Sequence, residues 1–207
     1  NKALGRNPEE CSKPVHLKRM AKKILLSFAS LFLIWQSYKM LVLIPRLELE
    51  SWGLVIFMAW VISLFITGIF AFSGFAWPTQ NLMPEAYYRI YHPKRLKRIG
   101  KAMNIEFFRK MLLATLWKSK ERQKEYFDGT KEGLANLEVQ SKKSEFGHLL
   151  PFVLITILSI YWLFTGLVKI GVATFLINII GNLYPVILQR NHRMRIQVLK
   201  RRMQSRP

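Results

Sequence analysis

The sequence has a single cysteine, Cys11, four histidines and only 12 acidic residues in 207. One cysteine excludes an intrachain disulfide framework and a thiolate metal cluster. The shortage of acid leaves 32 Lys and Arg largely unbalanced, giving a net charge of +20. Yet charged residues make up just 21% of the chain, and hydrophobic ones 51%. Disordered chains stay unfolded because they are poor in hydrophobic residues, so disorder is excluded. A soluble nucleic-acid binder of this charge would be less apolar. The composition fits a small membrane protein whose charge is confined to the parts outside the lipid.

Crossing the hydrocarbon takes about 20 mostly apolar residues in a helix. Four stretches qualify: Ile24 to Ile44, Trp52 to Trp77, Leu149 to Val168 and Gly171 to Leu188. The first carries Gln36, Ser37, Tyr38 and Lys39, with Lys39 near enough to one end to snorkel. The second has no charge and a Trp at each boundary, where interfacial aromatics belong. The first apolar run continues to Ile44 with no small-residue cleavage site before Pro45, so it reads as a span rather than a secretory signal.

The expected fold class is therefore all-α: an integral membrane protein of four transmembrane helices with a basic amphipathic cytoplasmic insertion between the second and third. The divisions are a basic tail (1–23), a helical hairpin (24–77), the insertion (78–148), a second hairpin (149–188) and a basic tail (189–207). Pro45 to Ser51 and Lys169-Ile170 would form the tight turns on the outer side. Seven basic residues precede Ile24, fifteen lie in 78–148 and seven follow Leu188, so 29 of the 32 share one side if the four helices alternate. The positive-inside rule places that side, with both termini, in the cytoplasm of a bacterial inner membrane.

Within the insertion, Leu96, Ile99, Met103, Phe107 and Leu113 or Ala114 recur at mostly three- and four-residue steps among Lys and Arg. That pattern suits a helix starting at Pro93 and lying against anionic headgroups. Nucleic acid is the weaker partner, because the spans already hold the chain beside lipid phosphates. Lys118 to Phe127 reads as a solvated helix face, Asp128-Gly129 as a turn, and the segment after it as a helix running into the third span.

Two polar clusters call for explanation. Glu145 and His148, three apart, share a face of any helix they occupy, and a carboxylate can orient an imidazole as a general base. Pro151 disfavours helical geometry at Leu150 and leaves open a separate turn for the pair. The plain alternative is an ordinary Glu and His at a helix entrance. In the second cluster, Pro185 cannot donate a backbone hydrogen bond and clashes with the carbonyl of Gly181, which predicts a kink and a freed carbonyl. Asn182 is a candidate partner for it, and on a continuous helix would share a face with Gln189 and Arg193. A stop-transfer boundary explains Lys200 to Arg202 but not Asn182. Topology brings both clusters to the cytoplasmic rim, where an acid/base pair would stand beside guanidinium groups fit for phosphate or carboxylate.

These residues resemble the glycosyl-4,4'-diaponeurosporenoate acyltransferase family of small integral-membrane proteins. The likeness runs from about Trp77 to Arg202. It includes Pro84-Glu85-x-x-Tyr88, the aromatic-basic stretch through Trp117, Asp128-Gly129 and Glu145-x-x-His148. It ends with Asn182-x-Tyr184-Pro185 and Gln189-Arg190-x-x-Arg193-x-Arg195, the most specific element. Asn191, His192 and Met194 depart from its pattern. The resemblance implies transfer of a fatty acyl group, from acyl-CoA as co-substrate, to a sugar hydroxyl of a carotenoid glycoside or similar lipid. It implies no covalently bound cofactor, and it allows a bound lipid or carotenoid. By carry-over His148 would be the base and Glu145 its orienting partner. Arg190, Arg193 and Arg195 would hold donor phosphates, while Asn182 and Gln189 position the acceptor or stabilise the oxyanion. The competing class is a non-enzymatic pigment- or lipid-binding subunit scaffolding a larger membrane complex. A channel or transporter is disfavoured, since the four stretches hold no carboxylate and Lys39 is their one charged side chain.

Overall fold

A long apolar helix needs its backbone bonds closed internally to enter lipid, and four such helices account for most of the chain. The computed structural model describes residues 8–115 and 130–204. The charged stretch 118–127 and the Asp128-Gly129 turn lie outside the described residues. Helix α1 spans Pro8–Leu43, so the basic N-terminal stretch continues the first span as helix. Pro45 sits in a short 3₁₀ turn, and the Ser51 hydroxyl caps α2 (Trp52–Ala76) by accepting from the Leu54 amide at 3.2 Å. The short helix α3 (Glu85–Tyr88), α4 (Pro93–Ala102) and α5 (Ile105–Thr115) follow. Helix α6 runs Lys131–Phe164, then α7 (Val168–Asn178) passes through a π-turn at Ile179–Leu183 into α8 (Tyr184–Gln204). No strand occurs among the described residues. The four expected spans correspond to α1, α2, α6 and α7–α8, each long and apolar enough to cross a membrane; the third ends at Phe164, short of Val168.

Three local expectations are revised. Helix α6 passes through Pro151 unbroken, so Glu145 and His148 share one helix rather than standing on a separate turn. The second hairpin turns earlier than Lys169-Ile170. Gly166, at φ +83, supplies a left-handed residue just after α6, and Lys169 already belongs to α7. Its ammonium donates to the Glu50 carbonyl at 3.1 Å, so the two hairpin turns meet at one end of the bundle. The basic amphipathic segment is two helices. Asn104, at φ 49, breaks it after Met103.

The core of the bundle joins all four spans: Ile44, Val55, Ala59, Ile62, Ile155, Trp162 and Ile170 are almost completely buried. Lipid supplies no hydrophobic drive between helices, so close contact and shared hydrogen bonds do the packing. Ser30 donates to the Ile69 carbonyl across α1 and α2 at 3.1 Å. A Cβ on Gly171 would stand 3.0 Å from the Ser159 carbonyl oxygen, so α6 and α7 approach to backbone distance there. A second core lies at the other end. Ile105 and Phe108 of α5 pack on Ile187 and Leu188 of α8, with Leu96 and Met103 against them. The apolar side of α4 and α5 is thus spent largely on α8. Ile99, Phe107 and Met111 remain exposed.

At 34 residues α6 is about 50 Å long, against ~30 Å of hydrocarbon. Its N-terminal half and the C-terminal half of α8 therefore extend beyond the apolar layer as an antiparallel pair. Ser141 bonds the Gln189 carbonyl at 3.2 Å, and Glu138 pairs with Lys200. This pair forms the seat for α3.

Candidate functional site

Burial of a carboxylate demands compensating charge. Glu145, fully buried on α6, meets two guanidinium groups from α8. Its Oε1 accepts from Arg190 Nε at 2.9 Å and from the Tyr87 hydroxyl at 2.8 Å, and its Oε2 accepts from Arg193 Nη2. The same arginines hold α3 from its open end. Arg190 donates to the Tyr87 carbonyl at 3.1 Å and Arg193 to the Tyr88 carbonyl at 3.5 Å. Each guanidinium also lies over a tyrosine ring, Arg190 on Tyr87 at 4.9 Å and Arg193 on Tyr88 at 4.7 Å. Lys142 bridges Glu85 and Glu138 at the rim. Burial, followed by the charge of Glu145, raises the Tyr87 phenol above its ordinary range, so it stays a protonated donor.

His148, one turn further along α6, does not share this carboxylate. Its Nδ1 lies 3.1 Å from Asn182 Oδ1 on the π-turn. The π-turn aims Asn182 between α2 and α6. There it exchanges bonds with Thr67 at 3.1 and 3.2 Å, and its Nδ2 donates to Asn178 Oδ1 at 3.0 Å.

The far end of this chain fixes its polarity. The Phe152 carbonyl can only accept, and it takes the Thr156 hydroxyl at 2.7 Å and Asn178 Nδ2 at 2.9 Å. Asn178 therefore presents its oxygen to Asn182, which must donate with nitrogen and turn its own oxygen to His148. The imidazole then carries its proton on Nδ1, and Nε2 is left with a lone pair. A neutral histidine held in that tautomer can accept a proton at Nε2.

The sequence-derived candidates separate into two groups. Glu145, Arg190 and Arg193 converge on the Tyr87-Tyr88 segment, with Gln189 buried beside them and its Oε1 unpartnered among the described residues. His148 and Asn182 form the other group. Arg195 belongs to neither; it is exposed and faces a groove with α4 and α5. Sequence reading missed Tyr87, Thr67, Asn178 and Thr156. Tyr87 stood inside a noted motif, but Thr67, Asn178 and Thr156 are polar residues within apolar helices and carried no mark of their own.

Among the described residues no group of His, Cys, Asp and Glu could hold a metal ion. No curated protein and no solved structure matches the chain. A family model described as glycosyl-4,4'-diaponeurosporenoate acyltransferase matches residues 84–202, from the residue before α3 to the last turn of α8. That interval is more than half of the chain and holds every residue of the clusters above except Thr67. An α3 clamped by Glu145, Arg190 and Arg193 and a π-turn carrying Asn182 onto His148 are therefore features of a chain that belongs to the glycosyl-4,4'-diaponeurosporenoate acyltransferase family.

Proposed function

We propose that the chain transfers a fatty acyl group from acyl-CoA to a sugar hydroxyl of a carotenoid glycoside at the cytoplasmic rim of the membrane, with His148 as general base. The observation that carries this reading is the donor–acceptor chain from the Phe152 carbonyl to His148, which leaves Nε2 as an acceptor. Nε2 takes the hydroxyl proton as the sugar oxygen attacks the thioester carbonyl carbon. The C–S bond breaks, and the imidazolium returns the proton to the departing thiolate. The products are a sugar ester and a free thiol.

The other residues take roles that follow from their partners. Asn182 has all its hydrogen-bonding capacity engaged, so it positions the base rather than holding an oxyanion. Gln189, with a free acceptor oxygen, is the better candidate to touch the acceptor sugar. Glu145 organises Arg190, Arg193 and α3 instead of orienting His148. Arg195 remains for the donor. The concentration of basic residues on one side supports a cytoplasmic position for both termini, where acyl-CoA is found.

The test is transfer of a labelled acyl group to a glycosylated carotenoid in membranes carrying the full chain. His148→Ala is expected to lower the rate by about 10²–10⁴-fold, the range for a general base, at unchanged protein level. Equal rates in the variant and the parent would remove His148 from the chemistry. A parent protein inactive alone but recovered with fixed partner subunits would favour the scaffold reading.

A further inference from the structure

Arginines 190 and 193 are already committed to a buried carboxylate, so they cannot also neutralise an anionic ligand without exposing Glu145. The cations that are uncommitted lie elsewhere. A groove of about 930 Å³ opens between α4, α5 and the outer half of α8. Lys97 and Lys101, one turn apart on α4, form one wall, and Arg195 of α8 forms the other. None of the three closes a salt bridge among the described residues, and all three are exposed. The acid lining the groove, Glu106, is already paired with Arg109, whose guanidinium holds its carboxyl below the usual range. The groove floor is apolar, with Ile105, Leu188 and Met194 buried beneath it.

A solvated charged face would spread its lysines around the helix. Here side chains from segments ninety or more positions apart turn toward one concavity. Gly100 permits the close fit: a Cβ there would stand 3.2 Å from Asn191 Nδ2, so α4 seats directly on α8. The volume falls within the range of small-molecule and cofactor sites. We infer that the groove bounded by Lys97, Lys101 and Arg195 is a binding site for a phosphate ester carrying a flexible arm, with the phosphates on the three cations.

The inference deepens the acyl-transfer reading and rests on it in one respect, the reach of the arm. Asn182, at the imidazole, precedes Arg195 by a helical rise of about 20 Å. A donor with its phosphates in the groove needs an arm of that order to bring a thioester to Nε2. Two sources offer this phosphate chemistry: a coenzyme thioester from the cytoplasm, and an anionic phospholipid headgroup from the adjoining leaflet.

The experiment uses the purified full chain in nanodiscs of phosphatidylcholine, with or without phosphatidylglycerol, and measures binding of coenzyme A and retention of phosphatidylglycerol. The variant is Lys101→Ala with Arg195→Ala, and Arg98→Ala, outside the groove, is the control. Exposed substitutions leave folding intact, which the unfolding temperature checks. The double variant is expected to weaken coenzyme A binding at least about tenfold, and the control less than about twofold. Loss of retained phosphatidylglycerol instead, with coenzyme A indifferent, assigns the same site to a headgroup. If the double variant behaves like the control toward both probes, the site does not exist. Binding without acyl transfer would keep the groove and dismiss the base. Transfer unaffected by the double variant, with neither probe displaced, would do the reverse.

Discussion

A histidine acts as a base only in the right tautomer, and a single amide flip decides it here. Asn182 has its four bonding positions filled by Thr67, Asn178 and His148. Replacing Asn182 with Leu removes the anchor without touching a substrate. The expected result is a kcat lower by about tenfold or more with KM little changed. Asn178→Leu keeps the His148 contact but frees the Asn182 amide to rotate, so its loss should be smaller. The nitrogen chemical shifts of ¹⁵N-labelled His148 should move in both variants, a signature that a packing defect alone would not give. The sequence flagged His148 and Asn182 separately. Their pairing depends on where the π-turn rotates Asn182, which no local pattern states.

At the scale of elements, α6 and α8 are held together beyond the membrane by charge and inside it by close contact. Glu145→Ala would leave the buried Arg193 guanidinium, and the partly exposed one of Arg190, around an empty place. Breaking one partner of a buried pair costs about 3–5 kcal/mol, so a loss of that order in denaturant stability is expected. Glu145→Gln keeps an acceptor for the Tyr87 hydroxyl and should cost less. Inside the bundle, Gly171→Leu has no space beside the Ser159 carbonyl and the Leu163 side chain. Overpacking of this kind costs about 1–3 kcal/mol, to be read as a lower unfolding temperature in detergent. The elements themselves were legible. Their hydropathy and the proline at the start of α4 are local, and the π-turn falls just ahead of Pro185. Misplaced were the hairpin turn, because Gly166 outweighs the apolar residues after it, and the unity of α4 and α5, which Asn104 divides.

Across the whole molecule, charge asymmetry predicts orientation. The hairpin turns, with Lys169 on Glu50, lie at the end opposite the Glu145 cluster. Cysteines introduced at Lys169 and at Arg195, in a chain with Cys11 replaced, should react with a membrane-impermeant thiol reagent from opposite sides. The residue at 195 is expected to react only once the cytoplasmic face is opened. Labelling of both from one side would disprove an even number of crossings.

The amino-acid sequence by itself determined the helical class, the four spans and the expected side for the basic residues. Hydropathy and charge are sums over neighbouring positions, and lipid enforces them strictly, since an unpaired backbone or stray charge there costs several kcal/mol. Tertiary structure alone decided that Glu145 serves α8 and α3 while His148 serves the π-turn. Two side chains three residues apart share a helix face in either case. Their partners come from segments 34 to 58 positions away, and only the packing of α6 on α8 and α3 chooses between them.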